Sequence, residues 1–458
     1  MARMLPVRMV LPSPRAKSSA LSPPLILVYA FGGLIALGTV LLMLPVTHRG
    51  GGFAPIEDAL FTATSAATVT GLVTVETSTF WTLPGQLVIL VLMFVGGLGI
   101  MTIASALLVL GGQRVSLKQR LVMRETIGTE AFANITNVTL WLLIWAVAIQ
   151  VVGFVVLVVR FGSLYSPGDA MWHALFQAVS GFNNAGFTSL PASENLSAFQ
   201  TDRVVIGTIA VLLVLGSLGF WVTTDVLRQR RFSRLSLNSK LVLVGTGVLV
   251  LAGAAFFFVF EAGNDATIGR LSGVDGVMTS VFHSVNRTSG FTTVDFGATT
   301  DETNALYAIL MLIGGASGSV AGGIKVNTAV LIVIALVAYT RGKSDTTAFD
   351  RRIPAVQVQW AFALAFLLLV GVSAISFALT VIEPGIPFLD LMFEAASAFA
   401  TVGLSAGITS ELSAAAKILL VAAMFVGRVG PPMVIVVAFS RQNEGRPFRY
   451  ATDNVLVG

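Results

Sequence analysis

The sequence predicts an all-α polytopic membrane protein of four parallel helix–short segment–helix repeats, with eight transmembrane helices and four shorter re-entrant ones. Three observations carry this expectation: the composition, eight long apolar runs, and a short half-apolar segment inside each pair of runs. Of the 458 residues, 55% are hydrophobic and 11% charged, and the mean hydropathy is +0.86. A water-facing surface needs about a quarter of its residues charged, so this chain is suited to lipid. The runs lie near 24–45, 84–110, 137–160, 203–227, 240–260, 304–340, 355–382 and 414–440, each close to or above the roughly 20 residues that cross a bilayer. The short segments lie near 55–72, 169–187, 272–291 and 387–404. With roughly 10–14 helix-compatible residues each, they cannot cross a hydrocarbon core of about 30 Å. Unpaired backbone cannot face lipid, so each must re-enter and line protein or water.

Basic residues set the expected orientation. Arg3, Arg8, Arg15 and Lys17 precede the first run, and Arg114, Lys118, Arg120 and Arg124 lie in the next loop on that side. Arg228, Arg230, Arg231, Arg234 and Lys240 follow, then Arg341, Lys343, Arg351 and Arg352, then Arg441, Arg446 and Arg449. These groups hold 20 of the 28 Lys and Arg residues, all opposite the short segments, so both termini are expected in the cytoplasm and the short segments enter from outside. The outer connections are acidic, with Glu57, Asp169, Glu261, Asp265, Asp295 and Glu411 among them, which would raise the local cation concentration. The resulting division is a cytoplasmic segment 1–23, repeat 1 over 24–112, a loop at 113–136, repeat 2 over 137–228 and a loop at 229–239. Repeat 3 then spans 240–341, a loop 342–354, repeat 4 355–440 and a cytoplasmic tail 441–458.

Other classes are disfavoured. The pI near 9.7 comes from basic residues in short loops, which argues against nucleic acid. There is no cysteine, hence no disulfide framework, thiol nucleophile or thiol metal site. The basic N-terminus leads into a retained span, because no small-residue cleavage signal follows the brief apolar stretch at Met9.

The chemistry lies in the ends of the short segments. They read Thr68-Val69-Thr70-Gly71-Leu72, Asn183-Asn184-Ala185-Gly186-Phe187, Arg287-Thr288-Ser289-Gly290-Phe291 and Ala400-Thr401-Val402-Gly403-Leu404. Six residues before each glycine stands a serine, Ser65, Ser180, Ser284 or Ser397. Ten before it stands Phe61, Phe176 or Phe393, while the third copy has Ser280 with Phe282 nearby. Residues four apart share a helical face, so the pattern is a short helix followed by an extended, glycine-containing stretch, repeated four times. A cation that sheds its water needs oxygens in return, and a ring of backbone carbonyls supplies them. Turning carbonyls towards an axis asks for backbone angles that glycine adopts freely. Glycine in one such stretch is better read as close helix packing; four in register favour a common cation site.

These motifs resemble the Trk/Ktr/HKT superfamily of potassium transporters, and within it the KtrB-type membrane subunit. The resemblance runs from Ser22-Pro23-Pro24 to Gly430-Pro431. Ser289 and Ala400 stand where alanine and glycine are common, and the two extra N-terminal spans usual in Trk-type relatives are not seen. The resemblance implies K⁺ uptake across the bacterial inner membrane through a pseudo-fourfold pore, with a single selectivity filter formed by the four strings. Na⁺ is the alternative transported or coupling ion, and four glycines rather than a serine in the first string imply K⁺ selectivity. It also implies a homodimer in membrane lipid, controlled by a cytoplasmic KtrA-like, RCK-type ring that binds ATP or ADP, with no cofactor in this chain.

Two further features lie in the second runs. The third is interrupted by Gly314-Gly315-Ala316-Ser317-Gly318-Ser319-Val320-Ala321-Gly322-Gly323, followed by Lys325. Each glycine costs a helix about 1 kcal/mol relative to alanine, so the helix should break here, as is tolerated beside a water-filled cavity. The resemblance makes this a gating loop beneath the filter. The fourth run carries Arg428 after strongly apolar sequence; an arginine at membrane depth is costly and marks function. It is expected to face the pore, limiting ion occupancy or contacting the loop. Gly96-Gly97-Leu98-Gly99 and Gly216-Ser217-Leu218-Gly219 read as packing within spans, and His48, His173 and His283 as structural. The rival reading is an ion-coupled secondary transporter of another substrate. Such folds favour two inverted repeats and membrane-buried carboxylates. An enzyme would need a catalytic constellation, and none is present.

Overall fold

The computed structural model describes residues 23–99, 135–191 and 195–430. The basic N-terminal segment, most of the 113–136 loop and the 441–458 tail therefore lie outside the described residues, as do the far ends of the second and eighth apolar runs. What is described is almost wholly helical. Its one sheet pairs Thr347–Ala348 with Arg351–Arg352 in a tight hairpin.

Long and short helices alternate in four units. The first holds α1 (Pro23–Met43), α2 (Ile56–Ala67) and α3 (Leu83–Leu98), and the second α4 (Ile135–Phe161), α5 (Pro167–Asn183) and α6 (Arg203–Gln229). The third holds α7 (Leu237–Glu261), α8 (Gly273–Val285), α9 (Asp301–Met311) and α10 (Val326–Thr340). The fourth holds α11 (Ala355–Ile382), α12 (Phe388–Phe399) and α13 (Ala414–Val429). Proline or serine opens each short helix: Pro55 and Pro387 at two N-caps, and Ser166 and Ser272, whose hydroxyls accept the Asp169 and Asp275 amides, at the others. Each serine satisfies one of the first-turn N–H groups that a helix leaves unpaired. The second short helix, at 17 residues, is longer than the sequence pattern suggested.

Packing makes the four units cyclic. The second long helix of each unit lies against the short helix of the next: α3 on α5, α6 on α8, α9 on α12, and α13 back on α2. Phe61, Phe176, Phe282 and Phe393, each almost fully buried, anchor the short helices in this centre. On the outside the long helices present bare apolar side chains. Val159 is 75% exposed, Leu251 74% and Phe377 71%, an arrangement that water would drive into aggregation.

Four described helices are long and apolar enough to cross a membrane: Leu140–Phe161, Arg203–Gln229, Leu237–Glu261 and Ala355–Ile382. Val28–Met43, Leu83–Leu98 and Val326–Thr340 are shorter apolar helices. In the second run of each unit the described helix ends or kinks at a glycine or opens into a loop. The first stops at Gly99 and the fourth at Gly430, the third opens into the 312–325 loop, and the second kinks at Gly219 with φ 71° and ψ 172°. Gly96-Gly97-Leu98-Gly99 and Gly216-Ser217-Leu218-Gly219 read in the sequence as packing within spans, which hid the helix end and the kink there. The preceding glycines do pack as expected. A Cβ on Gly96, Gly216 or Gly427 would fall 1.9–2.0 Å from the Ala67, Phe182 or Phe399 carbonyl oxygen, at the end of that unit's own short helix.

Candidate functional site

The four strings converge, and their glycines close a ring. A Cβ built on Gly71 would lie 2.2 Å from the Ala185 oxygen, and one on Gly186 2.4 Å from the Gly290 Cα. One on Gly290 would lie 2.7 Å from the Gly403 oxygen, and one on Gly403 2.0 Å from the Thr70 oxygen. The order is first to second to third to fourth to first, so each glycine abuts the next unit's backbone and no side chain fits between them. Gly71 and Gly403 also have φ of 100° and 97°, a region that L-residues rarely enter. The ring contacts thus run through the Ala185, Gly403 and Thr70 carbonyl oxygens and the Gly290 backbone.

The serine six residues back now has a role. Ser65 Oγ accepts the Gly71 N–H at 3.0 Å, and Ser397 Oγ accepts the Gly403 N–H at 3.0 Å. Strand and helix are further joined through backbone: the Thr70, Ala185 and Val402 amides donate to the Ser65, Ser180 and Ser397 carbonyls at 2.8–2.9 Å. Val69, Asn184 and Thr401 occupy positive φ at the same register. Ser180 differs by donating to the Phe187 carbonyl at 2.7 Å. The expected result of Ser397→Ala is a loss of about 1–3 kcal/mol, because the buried Gly403 amide is left without its acceptor; a lower thermal midpoint of the purified protein in detergent measures it.

The third string departs from the pattern. Arg287 and Thr288 lie in a 3₁₀ turn, Asn286–Thr288, and Ser289 is extended at φ −147°. Ser284 turns away to donate to the Val250 carbonyl at 2.7 Å, and Asn286 Nδ2 donates to the Phe291 carbonyl instead. Arg287 is buried and donates to the Ser284 carbonyl at 3.3 Å. Asn184 joins two strings: its Oδ1 accepts from Thr288 Oγ1 at 2.8 Å and from Ser217 Oγ at 2.9 Å. Asn183 bonds within its own helix, to the Val179 carbonyl.

Below this ring lies the glycine-rich stretch, non-helical from 312 to 325 as the sequence led one to expect. Its limbs pair where the Gly314 N–H meets the Ile324 carbonyl at 2.8 Å and the Val326 N–H the Gly315 carbonyl at 2.9 Å. The second unit holds it through the Ala316 N–H to the Ser217 carbonyl at 2.8 Å. Gly322 fits under the fourth string, where a Cβ would lie 2.2 Å from the Ala400 oxygen and 2.0 Å from Thr401 Oγ1. Arg428 completes the contact. Its Nη1 donates to the Val320 carbonyl at 2.7 Å and its Nη2 to the Gly96 carbonyl at 2.9 Å. One guanidinium thus ties the loop to the first and fourth units, using the planar fork that suits paired acceptors. Lys325 Nζ donates to the Ala321 carbonyl at 2.6 Å. Ser317 is exposed and meets Asn327 at 3.1 Å.

Two carboxylates stand differently from expectation. Glu261, grouped with the acidic outer loops, is fully buried, and Thr300, Thr303, Thr267 and Asn264 donate to its two oxygens at 2.5–3.0 Å. It secures the outer end of the third unit and adds no charge to a mouth, whereas Glu57, Asp169, Asp265, Asp295 and Glu411 are exposed. Glu394 is also fully buried, on α12, and takes hydroxyl donors from Ser405 and Thr409. Sequence reading missed it, since a single acid in an apolar helix carries no repeat signal. The histidines pack as side chains of the fold: His48 stacks on Phe80, His173 meets Ser189, and His283 lies among Phe257, Phe282 and Phe296. Among the described residues no three His, Cys, Asp or Glu side chains group to hold a metal.

A cyclic set of helix–short helix–helix units whose glycine-bearing strings meet at one point, over an internal loop, defines a class of membrane transport protein. The chain belongs to the TrkH family of cation transport proteins, whose profile it matches over residues 23–448, and it is accordingly a multi-pass membrane protein. It is 38% identical to the Ktr system potassium uptake protein B of Bacillus subtilis, over 95% of this chain and 97% of that one. The protein of the same title from Vibrio alginolyticus is 36% identical, over 95% of each. The potassium/sodium uptake protein NtpJ of Enterococcus hirae is 34% identical, over 96% of this chain and 98% of the other. In fold it is similar to the crystal structure of the potassium transporter TrkH from Vibrio parahaemolyticus, with a TM-score of 0.70 and 19% identity, covering 93% of this chain and 87% of that one.

Proposed function

We propose that this protein takes K⁺ into the bacterial cell through a channel-like pore on the axis of the four units. Thr68–Gly71, Asn183–Gly186, Arg287–Gly290 and Ala400–Gly403 are its single selectivity filter. The observation that carries this reading is the closed ring of glycines, each against the next unit's backbone in cyclic order. A ring of neutral carbonyls replaces the hydration shell of K⁺ without a fixed charge that would hold the ion too long. On this reading each unit is two transmembrane helices around a re-entrant one, which makes eight spans in all. The short helices enter from outside and both termini are cytoplasmic. The relatives named as parts of a Ktr system support a partner subunit, and we assign the basic cytoplasmic face to a nucleotide-binding ring docking on a homodimer. Na⁺ remains the second ion to be tested, as its place in the NtpJ title suggests.

The 314–323 stretch and Lys325 form the barrier beneath the filter. Arg428 holds that barrier shut through the Val320 carbonyl. Arg428→Gln is expected to change maximum K⁺ flux or its K⁺ dependence several-fold, since a charge-assisted bond contributes roughly 1.5–3 kcal/mol, with the protein still folded and membrane-inserted. A flux curve equal to the parent's would make the residue an anchor only. The function itself is tested by expression in a bacterium that lacks K⁺ uptake, with and without a candidate regulatory subunit. Growth at low external K⁺ is expected, and an expressed, membrane-inserted protein that gives none in either setting overturns the reading.

A further inference from the structure

Just past each ring glycine the chain carries hydroxyl side chains, and in every unit one of them is bonded to a titratable residue of that unit's own short helix. Thr74, three residues past Gly71, donates to Asp58 Oδ1 at 2.7 Å. Ser189, three past Gly186, meets His173 Nδ1 at 2.9 Å. Thr293, three past Gly290, meets His283 Nε2 at 3.0 Å. In the fourth unit Ser405 and Thr409 both donate to Glu394, with Thr409 at 3.1 and 3.0 Å from its two oxygens. Asp58 and His173 also stand at one register, 13 residues before their glycines. Gln177 adds a second tie in its unit, donating to Thr188 two residues past Gly186.

The four ties use different residues and so escape a search for repeated letters, yet they join the same two elements in each unit. One end is a short helix fixed by buried phenylalanine. The other is the strand that leaves the ring. Glu394 is the most constraining, being fully buried and accepting from two hydroxyls of one segment whose oxygens lie 2.8 Å apart. Burial leaves a carboxylate few partners, so it holds those it has, and losing it leaves two hydroxyls to reorient.

We propose that these ties are positioning elements that set the geometry of the ring's outer mouth and hence its choice between cations, with Glu394 the dominant one. The proposal rests on the filter reading above. A hydrogen bond moves ion preference only if the carbonyls behind it move, so the telling quantity is the ratio of Na⁺ to K⁺ flux and not flux alone. The full-length protein in vesicles is loaded with K⁺ or Na⁺ and the initial fluxes are compared for the parent, Glu394→Ala, Glu394→Gln and Glu261→Ala. Glu394→Ala is expected to raise the Na⁺-to-K⁺ ratio at least about threefold, on the scale of one hydrogen bond, and Glu394→Gln, which keeps an acceptor oxygen, to stay nearer the parent. Glu261 is an equally buried carboxylate whose partners lie away from the strings, so its variant is expected to lose stability and keep the ratio. A folded Glu394→Ala protein with the parent ratio overturns the proposal. If it does not reach the membrane, Ser405→Ala and Thr409→Val, which remove hydroxyls and no charge, decide by the same criterion. Gly71→Ser measured alongside separates the two readings: if it shifts the ratio and Glu394→Ala does not, the ties fail and the filter stands. If neither shifts it, the ties fail, and the filter reading fails as well once the Gly186, Gly290 and Gly403 changes also leave the ratio unchanged.

Discussion

Deleting residues 316–321 is expected to leave a stable, membrane-inserted protein with markedly raised K⁺ flux and weaker dependence on any regulatory partner. The segment lies between two ordered limbs that pair with each other at Gly314–Ile324 and Gly315–Val326, so its removal leaves their junction in place. It carries the Val320 and Ala321 carbonyls that receive Arg428 and Lys325, and its Ala316 amide is bound by the second unit. The deletion therefore unties the barrier from the surrounding units at once. Arg428 keeps the Gly96 carbonyl at 2.9 Å, so one guanidinium contact survives and its desolvation is still in part compensated. K⁺ flux into vesicles holding purified parent or deleted protein is the measurement, with size-exclusion chromatography as the check on the fold. Flux at or below the parent's, from an intact protein, would mean that the loop is no barrier.

The second large effect is expected at the ring. Gly71→Ser should lower K⁺ over Na⁺ discrimination by about tenfold or more, the equivalent of some 1.4 kcal/mol between the two ions. Two causes combine. At φ 100° a serine is strained, and its Cβ would fall 2.2 Å from the Ala185 oxygen of the next unit. That oxygen must move, and on the filter reading it is one of the ligands presented to the ion. The equivalent changes at Gly186, Gly290 and Gly403 face the same contact in turn. Relative permeability is measured from reversal potentials or from paired K⁺ and Na⁺ fluxes. Unchanged ratios in all four variants would remove the pore assignment.

Much of this was legible because it repeats. The serine six residues before each glycine pointed to a fixed helix-to-strand geometry, and in the first and fourth units its hydroxyl accepts the glycine amide. The loop was legible from the number of its glycines, and Arg428 from its apolar surroundings. What stayed hidden depends on distance in the chain. The Gly96 carbonyl that receives Arg428 comes from another unit, and a backbone oxygen leaves no letter in a sequence. The kink at Gly219 stayed hidden because Gly216-Ser217-Leu218-Gly219 reads as packing within a continuous span. The third unit kept the serine and the glycine in register, yet its serine turned away, because Asn286 and His283 took over the support of that strand. Glu261 looked like a loop acid by position and proved to be a buried anchor, a difference decided by Thr300 and Thr303, about 40 residues further on.

The most direct test of a K⁺-selective pore is ion movement through the purified parent protein in vesicles with a K⁺ gradient as the only driving force. The ring of four glycines over a loop leads us to expect K⁺ flux without any H⁺ or Na⁺ gradient, larger for K⁺ than for Na⁺ at equal gradients, and increased when residues 316–321 are removed. Flux that vanishes unless an H⁺ or Na⁺ gradient is imposed, in parent and deleted protein alike, would contradict it and favour the ion-coupled transporter.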